Sequence, residues 1–284
     1  MTLRGLYVPL ITPFAADGSV ALTALEQLAH DCLDAGATGL VALGTTAEPS
    51  ALSPAERSSV LGLLTRVARD RSAPLIVGGD EVPASAAAAL TLVPPFVRPG
   101  EDGVVAYLSS VAARSAVPLV VYHVPYRTGQ TLSVDALRRI AAIDGVAGIK
   151  LAAGGIDADV IALMADPPRD FAILGGDDAF ISPLLALGAH GGILASAHIE
   201  TSAYASLVSM WDPALGHRLA RLSLALFAEP NPTVIKAALH ADGRIPTAGV
   251  RLPLLPYLRT LNQIVGVGPA VEEISSSATN VPPA

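Results

Sequence analysis

Lysine is almost missing from this chain: of its 18 basic residues only Lys150 and Lys236 are lysines, the rest being arginines. Arginine keeps its proton and is a poor nucleophile, whereas a partly desolvated lysine can lose its proton and attack a carbonyl as an amine. Each lysine is therefore a candidate for chemistry, set against the plainer reading of a side chain snorkelling to water at a strand end. Cysteine is as scarce. Cys32 alone excludes an internal disulfide and any zinc cluster built on thiolates, and at Asp31-Cys32-Leu33 it reads as a small helix-face residue. Charged residues make up only 15% and the net charge of −7 contains no basic run, which argues against a nucleic-acid surface and for small-molecule work. With aromatics at 4% and hydrophobic residues at 51%, the core must be filled by Ala, Val, Leu and Ile, as in a parallel sheet buried on both faces. No apolar run reaches the length of a membrane span and no signal-like leader opens the chain, so the expectation is a soluble, cytoplasmic protein.

What is present is an alternation. Short apolar runs at Leu6 to Ile11, Gly39 to Leu43, Pro74 to Gly78, Leu90 to Val93, Pro118 to Tyr122, Val146 to Lys150, Phe171 to Leu174 and Gly191 to Ala195 read as eight strands. Between them lie helical segments such as Leu22 to Ala35, Pro54 to Arg69 with Ser53 as its N-cap, and Ser133 to Ile143. That rhythm, over 284 residues, predicts an α/β fold of the (β/α)₈ TIM-barrel type. Only the interval from Gly79 to Leu90 is cramped, leaving Val82 to Ala89 for a third helix that must be short or irregular. Further helices at Ser202 to Val208, Pro213 to Phe227, Pro232 to His240 and Leu255 to Val265 form a C-terminal helical appendage. The expected organisation is a barrel over residues 1–210, a helical domain over 211–267 and a mobile tail over 268–284.

In such a barrel, catalytic groups gather at the C-terminal ends of the strands. There the chain delivers Gly44-Thr45-Thr46-Ala47-Glu48, Tyr122 running into Arg127-Thr128-Gly129, Lys150, Gly176-Asp177-Asp178 and Ser196-Ala197-His198. A lysine, a tyrosine, hydroxyls and an arginine around one mouth form a kit for carbonyl chemistry. Lysine condenses with a keto acid, tyrosine moves protons, and the planar arginine fork takes a carboxylate. Neither a zinc-spaced cluster nor a dinucleotide-type glycine loop is present. Asp177 and Asp178 read as helix caps, His123 and His198 as wall residues, and Lys236 as an exposed or helix-packing lysine.

At these positions the sequence resembles the dihydrodipicolinate synthase and N-acetylneuraminate lyase family of class I aldolases. Gly44-Thr45-Thr46-x-Glu48, Tyr122-x-Val-Pro-x-Arg127-Thr128-Gly129, Gly148-Ile149-Lys150, Gly176-Asp177-Asp178 and Glu229-Pro230-Asn231-Pro232 stand in the family's order, from about Leu6 to Leu261. The resemblance implies that Lys150 forms a Schiff base with pyruvate, without any further cofactor, and that Tyr122 relays protons with Thr45 hydrogen-bonded to it. It also implies that Thr45 and Thr46 hold the pyruvate carboxylate and that Gly176 and Ile193 line the substrate site. Arg127 marks the synthase branch, where it receives the carboxylate of aspartate semialdehyde. A homodimer or homotetramer is expected, with no nucleic-acid or membrane partner.

The departures qualify the expectation. The synthases carry Pro-Tyr-Tyr-Asn after the fourth strand, and the second tyrosine reaches across a dimer interface to complete the relay. Here the segment is Pro94-Pro95-Phe96-Val97, and Phe96 lacks the hydroxyl. Ala47 and Pro49 replace a glycine and a serine, and His123 an asparagine. Positions that bind feedback lysine in regulated synthases appear as Val82, Ala86 and Pro95, so no lysine inhibition is expected. Besides the synthase reaction, two alternatives stay open: an aldolase or lyase acting on another 2-keto acid, and a weakly active paralogue that binds a keto acid.

Overall fold

The computed structural model describes residues 3–79 and 81–257. Eight parallel strands close into a barrel in chain order, β1 pairing with both β2 and β8. They are β1 (Gly5–Pro9), β2 (Gly39–Ala42), β3 (Leu75–Gly78), β4 (Ala88–Leu92), β5 (Leu119–His123), β6 (Val146–Leu151), β7 (Ala172–Gly175) and β8 (Gly191–Ile193). Each overlaps one of the apolar runs, because a strand covered inside and out must be apolar on both faces, although β4 begins two residues ahead of its run. The outer layer is α1 (Leu22–Asp34), α2 (Pro54–Asp70), α3 (Gly100–Ala112), the short α4 (Pro125–Thr128), α5 (Val134–Ala141), α6 (Ala158–Ala165) and α7 (Ile181–Ala186). Then come α8 (Thr201–Ser209), α9 (Pro213–Leu226) and α10 (Thr233–Ala241). Ser53 and Glu56 form a capping box at the start of α2, each side chain taking the other's backbone N–H. Cys32 is buried on α1, and burial pushes its thiol up to about 11, which leaves it inert.

The third crossover departs further from the regular pattern than its length suggests. Among the described residues between β3 and β4 there is no helix: a turn closes by the Ala86 N–H on the Pro83 carbonyl, and the chain enters β4 at Ala88. A parallel crossover ordinarily needs a dozen residues or more, and this one has too few to climb a helix and return. Ala88 and Ala89, good helix formers, are taken into the sheet, where Ile76 pairs with Ala88. At the other end, Leu255 to Tyr257 are not helical, and the remainder of the expected helix and the tail lie outside the described residues. Among the described residues no helix is long and apolar enough to cross a membrane.

Inside the barrel, Tyr7, Val41, Ile76, Leu90, Val120, Tyr122, Leu174 and Ile193 form one cluster. Ile149 and Leu151 belong instead to the outer cluster beneath the helices. By alternation, Gly148 and Lys150 point into the barrel. Here glycine is required at 148, because a Cβ would stand 2.5 Å from the Ala172 carbonyl oxygen on β7. Gly148→Ala should force the β6–β7 pair apart and lower stability by about 1–3 kcal/mol. Denaturant unfolding measures it, and a wild-type midpoint would contradict this packing.

Candidate active site

Register puts two of the expected residues side by side. Tyr122 is the neighbour of Lys150 across the β5–β6 ladder, and Leu174 is its neighbour on β7. Both Lys150 and Tyr122 are buried, and the lysine Nζ lies 4.3 Å from the centre of the tyrosine ring. A ring face attracts a cation, so the contact seats the lysine head against Tyr122. Gly176 makes room for it: a Cβ there would meet Lys150 Cγ and Cε at 2.8 Å. Ile193, fully buried on β8, belongs to the apolar floor of the same interior.

The turn after β2 supplies hydroxyls. Thr45, Gly44 and Tyr122 line one cavity of about 370 Å³, with Leu92 from β4 and Arg57 from α2. The expected hydrogen bond between Thr45 and Tyr122 is not formed; the two side chains share the cavity instead. Thr45 opens the 3₁₀ turn Thr45–Ala47 on its exposed side, while the turn's bonds run from its buried side. There Thr46 Oγ1 accepts from Asn231 Nδ2 at 2.9 Å, and Thr12 Oγ1 donates to the Ala47 carbonyl at 2.8 Å. Asn231 Oδ1 is buried and unpartnered.

Arg127 stands exposed on α4, whose end is set by Gly129 at φ 73°. Among the described residues no carboxylate pairs with Arg127, and its guanidinium lies 5.9 Å from the Tyr126 ring. That leaves the planar fork free for an anion. Asp177 and Asp178 are not the caps the pattern predicts. Asp177 accepts the Tyr126 hydroxyl at 3.0 Å and the Gly154 N–H at 2.7 Å, tying together the loops after β5, β6 and β7. Asp178 is buried and accepts the Ser196 N–H at 2.5 Å. Burial pushes its carboxyl up to about 6, against the pull of Ser196 and the Lys150 charge.

The histidines form walls. His198 is fully buried, with Nδ1 donating to the Ala195 carbonyl and Nε2 accepting the Ile11 N–H, so its neutral tautomer is fixed. His123 is buried with Nδ1 unpartnered. Phe96 is 87% exposed with φ 68°, its N–H on the Thr128 carbonyl.

The second lysine is neither exposed nor a simple packing residue. Lys236 is fully buried on α10, with Nζ 2.5 Å from Glu48 Oε1. Burial pushes its ammonium down to about 8, with Glu48 resisting. Its one signal in the sequence is the scarcity of lysine itself, and nothing in sequence spacing joins positions 48 and 236.

The model of the dihydrodipicolinate synthetase family matches residues 2–266. A Clostridium acetobutylicum protein named 4-hydroxy-tetrahydrodipicolinate synthase 2 is 32% identical, covering 93% of this chain and 98% of its own. The 4-hydroxy-tetrahydrodipicolinate synthase of Sorangium cellulosum is 36% identical over 90% of this chain and 91% of its own. The solved structure of a chloride-inhibited dihydrodipicolinate synthase from Acinetobacter baumannii, complexed with pyruvate, superposes with a TM-score of 0.85 at 32% identity. It covers 99% of this chain and all of its own.

Burial of the histidines has a consequence in acid. It pushes both His123 and His198 from 6.5 to about 4, so between those values the unfolded chain takes up protons that the native protein refuses. Their contribution is fully present above pH 6.5 and is lost as pH falls. Asp178, raised from 3.8 to about 6, acts in the opposite sense, one group against two. Thermal unfolding should therefore occur at a lower temperature at about pH 5 than at about pH 7.5, and an equal or higher midpoint in acid would contradict the two buried neutral rings.

Proposed function

The chain belongs to the dihydrodipicolinate synthetase family, and on that premise we propose that it condenses pyruvate with aspartate semialdehyde, the reaction of a 4-hydroxy-tetrahydrodipicolinate synthase. The observation that carries the proposal is Lys150, a buried amine at the barrel mouth, seated against Tyr122 in the space that Gly176 leaves. The neutral amine adds to the pyruvate carbonyl carbon, and loss of water gives the iminium. That cation draws electrons from the adjacent methyl, which loses a proton to become the nucleophilic enamine carbon. Attack on the aldehyde forms the carbon–carbon bond and the new alkoxide takes a proton; the amino group of the aspartate semialdehyde part then attacks the iminium carbon, closing the ring and expelling Lys150 as the free amine. Tyr122 is the group beside Lys150 able to carry these protons, and Thr45 shares its cavity.

In this reading Thr45 and Thr46 receive the pyruvate carboxylate, Gly176 and Ile193 shape the space around it, and the unpaired Arg127 takes the carboxylate of the aldehyde. The reaction needs no cofactor beyond the covalent bond to Lys150. Phe96 and Val97, 87% and 75% exposed, present apolar surface of the kind an interface covers, which supports a homodimer or homotetramer. Val82, half-buried, and Ala86, buried, offer no polar group for feedback lysine. The lack of a hydroxyl on Phe96 favours a second reading, in which the same Schiff base serves a different aldehyde or keto acid.

Incubation with pyruvate followed by borohydride reduction should add one reduced pyruvate to the intact mass, on Lys150. Lys150→Arg should abolish the adduct, and an unmodified wild-type protein would contradict the proposal. Arg127→Ala should leave adduct formation intact while raising KM for aspartate semialdehyde about tenfold or more, the worth of a hydrogen bond to a charged group. Adduct without turnover of that aldehyde selects the second reading.

A further inference from the structure

Only two lysines exist in this chain, and both are buried: Lys150 by 94% of its surface at the mouth, Lys236 entirely on α10. A buried ammonium is costly unless paired, and even a paired one is often no more stabilising than two apolar side chains of the same volume. Stability alone is a poor reason to hold a charge there, so the question is what the pair shapes. Glu48, its partner, ends the Thr45–Ala47 turn in the left-handed conformation, φ 55°, which is unfavourable for a residue other than glycine.

Every polar group of the pair is used. Glu48 Oε1 takes the Lys236 ammonium at 2.5 Å and Oε2 takes the Arg251 N–H at 2.8 Å. Lys236 Nζ also donates to the Gly249 carbonyl at 2.9 Å and rests 4.0 Å from the centre of the Phe14 ring. One helical lead-in earlier, Asn231 donates to Thr46 Oγ1. The start of α10 thus grips the turn at Thr46 and again at Glu48, while Thr12 holds Ala47 between them. Thr45 is the residue of the turn left free at the cavity.

We propose that Lys236 is a positioning residue: paired with Glu48, it holds the Thr45–Ala47 turn from behind in the shape that receives the keto acid's carboxylate. The inference rests on the reading that this turn binds that carboxylate. Without the ammonium, Glu48 is left as a buried charge held only by a backbone N–H, the left-handed residue relaxes, and the Thr45 and Thr46 donors lose their alignment. Lys150 and Tyr122, on β6 and β5, are untouched. The expected signature is weaker pyruvate capture with unchanged chemistry at the amine.

The test uses the full chain and two measurements, the pyruvate concentration giving half-maximal borohydride-trapped adduct and the thermal midpoint. Glu48→Gln keeps the size and the acceptor but removes the charge. It should raise half-saturating pyruvate about threefold to tenfold with the same limiting adduct yield. Lys236→Met with Glu48→Met replaces the ion pair by an apolar pair, which should restore most of the midpoint lost in Lys236→Met alone yet still demand about tenfold more pyruvate. A merely structural pair predicts the reverse for that double variant, recovery of both stability and pyruvate capture, and this result overturns the proposal. Should the double variant not fold, Glu48→Gln with wild-type half-saturation overturns it as well. Absence of any adduct in the wild type would refute the Schiff-base reading itself, whereas normal adduct with insensitive variants refutes only the role of Lys236.

Discussion

The register of β5 against β6 is the constraint on which the rest of the site depends. A parallel ladder fixes which residues are neighbours, and here it fixes Tyr122 beside Lys150. A slip of one residue would turn Lys150 out toward the helices and bring Ile149 into the barrel. Three glycines protect the arrangement from different sides. Gly148 lets β6 approach β7, Gly176 leaves space for the lysine stem, and Gly129 ends the helical turn that carries Arg127. None of them touches a reacting atom in this account, yet each decides where one can be.

A second layer of support comes from outside the barrel. The hydroxyl turn after β2 is held by residues far along the chain: Asn231 on Thr46, and Lys236 and Arg251 on Glu48. Across the mouth, Asp177 joins three successive loops through Tyr126 and Gly154. The C-terminal region is thus fastened to the turn after β2 as well as to the barrel wall. The Lys236–Glu48 pair adds a buried ion pair to that attachment.

Much of the fold is legible in the residues alone. Strands buried on both faces must be apolar, so most of the eight appear as Val-, Ile- and Leu-rich runs, and Ser53 and Pro54 announce α2 by local capping chemistry. The alanines after Gly79 misled because helix propensity is a weak preference that sheet pairing overrides when a crossover is too short. Lys150 and Tyr122 are visible as strand-end residues and Arg127 as part of the segment that follows β5. The roles of Asp177, Asp178 and Lys236 are not, since each is defined by a partner that is remote in sequence or by a backbone N–H. Thr45 and Tyr122 line one cavity without a hydrogen bond between them, while Thr46 and Ala47 on the turn's buried side are bonded to Asn231 and Thr12.

The central claim is that one buried amine and one hydroxyl turn, both beside Tyr122, capture a 2-keto acid. Crystals grown with pyruvate test it most directly. Continuous density from Lys150 Nζ to the second carbon of pyruvate, with the carboxylate seated on the Thr45–Thr46 turn, is the predicted result. Pyruvate bound elsewhere, or bound there with a free Lys150, would contradict it.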